Sequence, residues 1–160
     1  MTDINFLNSY FTNLLGRLRA EGESFRDLCL VRTESELLGD IKNLPANIYL
    51  MAVLIPSSDT KAQNIDNLKE QEIWLIYILE KADPKSETPA SRITSITAHQ
   101  RLITRVKKLI RDDMYNRVIP CNIRPDLNSM HTDPEHLFMG CDGYSLSFKV
   151  ESDDLLTTQI

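Results

Sequence analysis

Two short apolar runs near the middle of the chain predict two buried β-strands. The first run covers residues 48–55. The second, residues 72–80, holds seven consecutive apolar or aromatic side chains between two glutamates. Runs of this length are too short for a buried helix and are typical of strands that are covered on both faces. Because a polar stretch separates them, the two runs predict an antiparallel hairpin at the centre of a sheet.

The polar stretch between these strands, residues 56–71, predicts a long hairpin loop. Ile65 and Leu68 are its only clearly apolar residues besides the proline and alanine. The stretch is longer than the closing of a hairpin requires, and loops of such length are often functional arms or mobile segments. Two interpretations therefore stay open, a loop without a role and an arm that becomes ordered on a partner.

Two stretches with helical periodicity flank the strands. Residues 3–20 predict an amphipathic helix, with apolar side chains that recur every three or four positions. Residues 92–116 predict a longer helix, capped by Ser91 or Thr94, that lies across one face of the sheet. Its apolar stripe consists of Ile93, Ile96, Ile103, Val106, Ile110 and Met114, with Leu102 and Leu109 beside them.

The rest of the chain predicts one further strand and several less regular segments. Residues 144–151 alternate between apolar and polar side chains and predict the closing strand. Residues 24–47 indicate a short strand around Leu30 and a helical turn or two near Leu37. Residues 118–142 contain three prolines and predict a long irregular connection.

These elements predict one α+β domain over residues 1–160. Its sheet is small and mainly antiparallel, with the hairpin at its centre. An amino-terminal helix precedes the hairpin, and the long helix packs on the sheet. Residues 152–160 are expected to form a frayed tail.

Length and composition are those of an ordinary globular domain. The chain has 160 residues, of which 42% are hydrophobic and 26% charged, and its net charge is −5. This acidic balance argues against binding of polyanions by the whole surface. No apolar run is long enough to span a bilayer, and no secretory signal is visible. Three widely spaced cysteines favour reduced thiols in the cytoplasm over a disulfide framework.

The segment 131–136 carries the most suggestive cluster of metal-ligating side chains. His131 and His136 lie at its two ends, and Cys121 and Cys141 lie outside it. Such side chains are ligands for zinc, but neither a Cys-x-x-Cys nor a His-Glu-x-x-His spacing is present. A proline inside the cluster also prevents a helix from presenting both histidines on one face. We therefore expect a polar surface loop and no metal site.

No pattern typical of catalysis or cofactor binding is present. The chain has no Gly-x-Ser-x-Gly elbow, no phosphate-binding loop and no dinucleotide motif. His99 lies among polar residues of the long helix and is expected at the surface. Asp112 and Asp113 are interpreted as balancing the charge of that helix. We therefore expect no catalytic residue and no cofactor.

Four basic residues share the side of the long helix opposite its apolar stripe. One interpretation is a surface that contacts phosphates or an acidic neighbour, and the other is the solvated side of an amphipathic helix. Because no aromatic residue alternates with them, nucleic-acid binding is not expected. These four residues are the candidate interface of the chain, namely Arg101, Arg105, Lys108 and Arg111.

The predicted elements follow one another in an order known from one protein family. The order is carried by the hairpin of residues 48–55 and 72–80, the helix 92–116 and the closing strand 143–150. It resembles that of the tail-terminator and tail-completion proteins of tailed bacteriophages. In that family the subunits close into a ring that caps the tail tube and meets the neck of the particle. The resemblance implies a non-catalytic structural subunit whose partners are copies of itself and other tail or neck proteins.

Two other functions stay open from the sequence. The first is a regulatory or adaptor domain that binds a partner protein through a sheet edge or through the basic residues of the long helix. The second is a small metal-dependent enzyme that uses residues 121–141. All three hypotheses place the protein in the cytoplasm without a membrane partner, and the first adds its assembly into a virion.

Overall fold

The computed structural model describes residues 1–62 and 68–153. In this part of the chain three α-helices accompany one seven-stranded, mostly antiparallel sheet, which confirms the predicted α+β class. The helices are Ile4–Ala20 (α1), Glu34–Ile41 (α2) and Pro89–Tyr115 (α3). The strands are Cys29–Val31 (β1), Tyr49–Leu54 (β2), Ser58–Ala62 (β3), Leu68–Lys81 (β4), Ile123–Pro125 (β5), His131–Phe138 (β6) and Cys141–Asp153 (β7).

The two longest strands, β4 and β7, form the centre of the sheet. They pair antiparallel from Lys69 opposite Asp153 to Lys81 opposite Cys141. β2 pairs with the second half of β4, as the predicted hairpin requires, and β1 adds to β2 in parallel. β3 pairs with the first half of β4, while β5 and β6 pair with opposite halves of β7. The closing strand of the sequence prediction therefore lies inside the sheet.

Much of the polar segment 56–71 is strand, so the predicted long loop is wrong at these positions. Ser58 lies opposite Glu72 and Ala62 opposite Leu68, which extends β4 by four residues before the predicted start. The hydroxyls of Ser58 and Thr60 donate hydrogen bonds to Glu70 and lower the pKa of that carboxyl. Backbone pairing with β4 and the hydrogen bonds of these hydroxyls hold the segment in place. For this reason it lacks an apolar pattern. Residues 63–67 lie outside the described residues.

Helices α1 and α3 cover one face of the sheet, and the main core lies between them and the strands. Trp74 of β4 is fully buried, with its ring centroid 5.7 Å from that of Phe11 and 5.6 Å from that of Phe148. This packing accounts for the periodic apolar side chains of both helices. Around Trp74 the core contains Leu7, Leu14, Leu18, Met51, Ile76, Ile78, Leu102, Ile103, Val106, Ile110, Leu146 and Val150.

Helix α2 covers part of the opposite face. Its buried residues Leu37 and Ile41 pack with side chains of β2, β4 and β7, and the short β1 lies beside them. This agrees with the strand and helical turns indicated for residues 24–47. Farther along the same face Ile73 is 59% exposed and Lys149 is exposed, so α2 covers only one end.

Residues 118–142 are not an irregular connection, as the sequence predicted, but contain β5, a 3₁₀ turn at Leu127–Ser129 and β6. β6 is an edge strand whose side chains are exposed or half-buried, so it shows no apolar alternation. Pro134 fits there because the outer side of an edge strand needs no amide donor. The expected tail at 152–160 is also wrong at Ser152 and Asp153, which belong to β7. Residues 154–160 lie outside the described residues.

No helix in the described ranges is both long enough and apolar enough to cross a membrane.

Candidate functional site

Helix α3 begins three residues before its predicted start. Thr88 is the N-cap, since its hydroxyl accepts a hydrogen bond from the Ser91 amide at 3.2 Å. The Ser91 hydroxyl in turn accepts from the Thr88 amide at 2.8 Å, which completes a capping box, and Pro89 occupies the first helical position. Ser91 and Thr94, the caps proposed from sequence, are therefore inside the helix.

The apolar stripe of α3 is buried only in its second part. No side chain of residues 89–98 is buried, whereas Ile103 is 2% exposed. Ile93 and Ile96, which the sequence assigned to the buried stripe, are 66% and 46% exposed. The periodicity continues to the start of the helix, but the core does not reach that far. The first part of α3 therefore presents apolar side chains at the surface.

His99 marks the point where α3 enters the core. It was expected at the surface but is only 2% exposed. Its Nε2 lies 2.9 Å from Oε2 of Glu80 at the end of β4, and its ring meets Tyr49 edge-on at 5.8 Å. A buried imidazole needs a partner for its ring nitrogen, and Glu80 provides one. The prediction failed because His99 and Glu80 meet only when α3 packs on the sheet.

A second histidine–carboxylate pair lies at the turn between β6 and β7. Nδ1 of His136 is 3.0 Å from Oδ1 of Asp142, and the same oxygen accepts a hydrogen bond from the Leu137 amide at 2.8 Å. Leu137, Met139 and Gly140 all have positive φ angles in this turn. Asp142 therefore holds both the tight backbone of the turn and the orientation of the His136 ring.

The two pairs line one cleft, which we call the α3 cleft. It lies between the first part of α3, the end of β4 and the β6–β7 turn. It consists of two adjoining cavities of about 560 and 480 Å³. His99 and His136 border both cavities, and Ile96, Pro134 and Tyr144 form an apolar wall of the smaller one.

The α3 cleft carries more acidic than basic side chains. Lys81 and Arg92 are its cationic residues. Arg92 lies 3.4 Å from Glu87, so part of the acidic charge is compensated inside the cleft. An acidic recess with an apolar wall suits a cationic group on an aliphatic stem. The carboxylates that border the cleft are Glu80, Asp83, Glu87, Glu135 and Asp142.

The residues considered for zinc lie apart from one another. His131 faces Asp133 at 3.0 Å on the exposed strand β6. Cys121 is exposed, and Cys141 is buried with the side chains under α2. Burial raises the pKa of the Cys141 thiol to about 11. Within residues 1–62 and 68–153, no three His, Cys, Asp or Glu side chains gather as a metal site would require.

The four basic residues of the candidate interface fall into two pairs. Arg101 and Arg105 are bound within the chain by Glu23 and Glu21, which follow α1. Lys108 and Arg111 instead border a shallow depression of about 390 Å³ beside the 3₁₀ turn, which we call the basic groove. Its lining residues are Thr104, Lys107, Lys108, Arg111, Leu127 and Met130.

Asp113 has a different place from the one predicted. It is only 3% exposed and lies between α1 and α3, where Tyr10 and Arg17 donate hydrogen bonds to its carboxylate. Burial and the bond to Asp113 raise the pKa of the Tyr10 phenol. Asp113 is therefore a buried acceptor rather than a surface counter-charge.

The chain matches no protein-family model, and no curated protein shows significant similarity to it.

Proposed function

We propose that the chain is a non-catalytic structural subunit that associates with copies of itself, of the kind found in phage tail-terminator and tail-completion proteins. The observation that carries the proposal is the uncovered first part of α3. Ile93 and Ile96 are exposed there, and Ile96 borders the α3 cleft with its acidic rim. Apolar side chains surrounded by polar ones are typical of protein contact surfaces.

The edges of the sheet contribute little to the proposed contact. β1 and β5 have three residues each, and β3 presents Asp59 and Lys61. β6 contains Pro134 and an irregular register between Glu135 and Phe138. Short strands, charges, prolines and bulges all disfavour the addition of a further strand. The contact therefore relies on side chains of α3 and of the β6–β7 turn.

The assignment to a tail assembly is supported by the order of elements. The hairpin of β2 and β4, the helix α3 and the strand β7 follow one another in the order on which the resemblance is based, with β3, β5 and β6 added between them. A surface at one end of α3 that meets a different surface of the next subunit makes a heterologous contact, and repeated contacts of this type form a ring where the rotation between subunits closes. The partners would be copies of the chain and adjoining tail or neck proteins, met in the cytoplasm during assembly.

A regulatory or adaptor domain is the second candidate function. It is favoured by the buried His99–Glu80 pair beneath the α3 cleft, because a preformed recess of this kind can accept a side chain of an unrelated protein. In that case the isolated chain stays monomeric and the same surface binds the partner.

Light scattering over a concentration series tests the proposal. The intact chain is expected to change from monomer to a defined multiple as its concentration rises from about 1 µM to about 1 mM. The double variant Ile93→Ser, Ile96→Ser should need a higher concentration, because it removes apolar area from the contact. Leu38→Ser is the matched control, since Leu38 is 50% exposed on α2 and is not among the residues that line the cleft.

Two results would contradict the proposal in different ways. A chain that stays monomeric over the whole series is not a self-associating subunit, and the adaptor hypothesis then takes its place. A double variant that associates as the intact chain does would show that the first part of α3 is not the contact surface.

A further inference from the structure

We infer that the α3 cleft of one subunit receives the basic groove of a second copy of the chain. This inference rests on the proposed self-association and names the two surfaces that would meet.

The two surfaces are complementary in charge. Five carboxylates and two cationic residues border the α3 cleft. The basic groove has three cationic residues, Lys107, Lys108 and Arg111, and no carboxylate among its lining residues. Opposite charges on two surfaces speed their encounter and fix the register in which they dock.

The two surfaces are also alike in having an apolar part. Leu127 and Met130 line the basic groove, and Ile96, Pro134 and Tyr144 line the cleft. A lysine can lay its aliphatic stem along such a wall while its ammonium group reaches the carboxylates at the rim. Contacts of this kind combine burial of apolar area with ion pairs, as protein interfaces do.

The surfaces cannot meet within one subunit because both are built on α3. Ile96 of the cleft and Lys107 of the groove are about 16 Å apart along the helix axis, at a rise of about 1.5 Å per residue. Because α3 is one continuous helix, the cleft and the groove keep this separation, and only another copy can bring a groove to a cleft.

The lysines of the groove are available for such a contact. Arg101 and Arg105 already have glutamate partners, whereas neither Lys107 nor Lys108 has a carboxylate within 4 Å in the described ranges. Within residues 1–62 and 68–153, the carboxylate partner of Arg111 is the adjacent Asp112 at 3.4 Å. Lys108 is exposed and Lys107 half-buried, so both can reach a neighbour. Of the four predicted interface residues, Lys108 and Arg111 therefore belong to the contact.

A pair of charge-reversed chains tests the inference. The groove variant carries Lys107→Glu and Lys108→Glu, and the cleft variant carries Glu87→Lys and Glu135→Lys. Each alone should associate about 10- to 100-fold more weakly than the intact chain, because like charges then face each other across the contact. An equimolar mixture of the two should regain association, since each acidic surface again meets a basic one. One chain with all four changes should regain it as well.

The control is a chain with Lys42→Glu and Lys149→Glu, two exposed lysines outside both surfaces. It has the same net charge as the groove variant and should associate as the intact chain does. Thermal melting followed by circular dichroism establishes that every variant is folded before its association is measured.

The outcomes separate this inference from the proposed function. If the intact chain associates and the reversed variants associate equally well, the docking inference is overturned while the structural role stands. Weakening of both variants without recovery in the mixture also overturns it. Recovery in the mixture supports it, and a limiting species of two subunits would keep the docking but exclude a ring. An intact chain that stays monomeric at every concentration would contradict both the docking inference and the proposed function.

Discussion

Arg17 and Asp113 form an ion pair that joins α1 to α3. Nη1 of Arg17 donates to one carboxylate oxygen at 2.8 Å, and its second terminal nitrogen donates to the other. The Tyr10 hydroxyl adds a third hydrogen bond at 2.8 Å. The Asp113 side chain is 4% exposed and that of Arg17 is 34% exposed. The carboxylate is therefore buried with both of its oxygens hydrogen-bonded, while the guanidinium keeps some contact with solvent.

Replacement of Asp113 by alanine should lower the free energy of unfolding by about 2 to 3 kcal/mol, because Arg17 and the Tyr10 hydroxyl lose their acceptor. The partial exposure of Arg17 keeps the loss below that of a fully buried pair. Asp112→Ala is the matched control, since among the described residues its half-exposed side chain forms an ion pair only with Arg111, at 3.4 Å, and should change stability by less than about 0.5 kcal/mol. Urea denaturation measures both, and equal losses would contradict the prediction.

The contrast between Ile103 and Ile96 gives a test of how α3 packs. Ile103→Asp should lower the free energy of unfolding by more than about 4 kcal/mol or prevent folding, because it places an unpaired charge in the core. Ile96→Asp, two turns earlier, should cost less than about 1 kcal/mol because Ile96 is 46% exposed. Thermal melting compares the two, and an unchanged melting temperature for Ile103→Asp would refute the packing described for this side of the helix.

Gly143 lies where β7 passes close to β4. A Cβ atom there would be 1.9 Å from the carbonyl oxygen of Ile78, so a side chain requires the backbone to move. Gly143→Ala should therefore destabilise the protein by about 2 kcal/mol or more. Gly16 in α1 has open space around it, and Gly16→Ala should stabilise by about 0.5 to 1 kcal/mol through helix propensity. Shifts of the same sign in urea denaturation would contradict this account.

The ion pairs of Arg124 are expected to make part of the folding stability depend on pH in the acid range. Its guanidinium lowers the pKa of Asp153, and Lys69 together with Arg124 lowers that of Glu151. Because both carboxyls titrate at lower pH in the folded chain, their contribution is present above the unfolded values of about 3.9 and 4.3 and is lost as the pH falls. Arg124→Gln should thus be less stable than the intact chain near neutral pH.

The difference between the two chains should shrink as the pH falls from about 5 to about 3, as the carboxyls of the intact chain become protonated. Urea midpoints at a series of pH values measure it. A difference that stays constant over this range would show that Arg124 acts through packing rather than through the two carboxylates.

The sequence predicts an element correctly where the apolar and polar side chains of that element match its own buried and exposed faces. α1, β2, the main part of β4 and β7 have apolar periodicities that match one or two covered faces. β3 and β6 have exposed or half-buried side chains and exist because β4 and β7 offer them hydrogen-bonding partners. The side-chain pattern of β3 or β6 cannot show this, because the strand that provides the hydrogen bonds lies elsewhere in the sequence.

The α3 cleft could not be predicted for a related reason. Periodicity identifies the apolar side of α3 but not how far the core extends along it, so Ile93 and Ile96 were assigned to the core. Glu80 and His99 come from different elements, and their contact depends on how the helix lies across the end of β4. The sequence shows that Lys108 and Arg111 are charged, but it does not show that they border a groove.

The position of β7 determines when the chain can complete its fold during synthesis. β4 and β7 are the paired centre of the sheet, yet β7 is the last strand of the described residues to leave the ribosome. Until then the apolar strand β4 has an unpaired edge, and Trp74 lacks its contact with Phe148. Contacts so distant in sequence form slowly and leave intermediates prone to aggregation. We therefore expect nascent chains without β7 to depend on chaperones, and the sheet to be completed only after β7 has emerged.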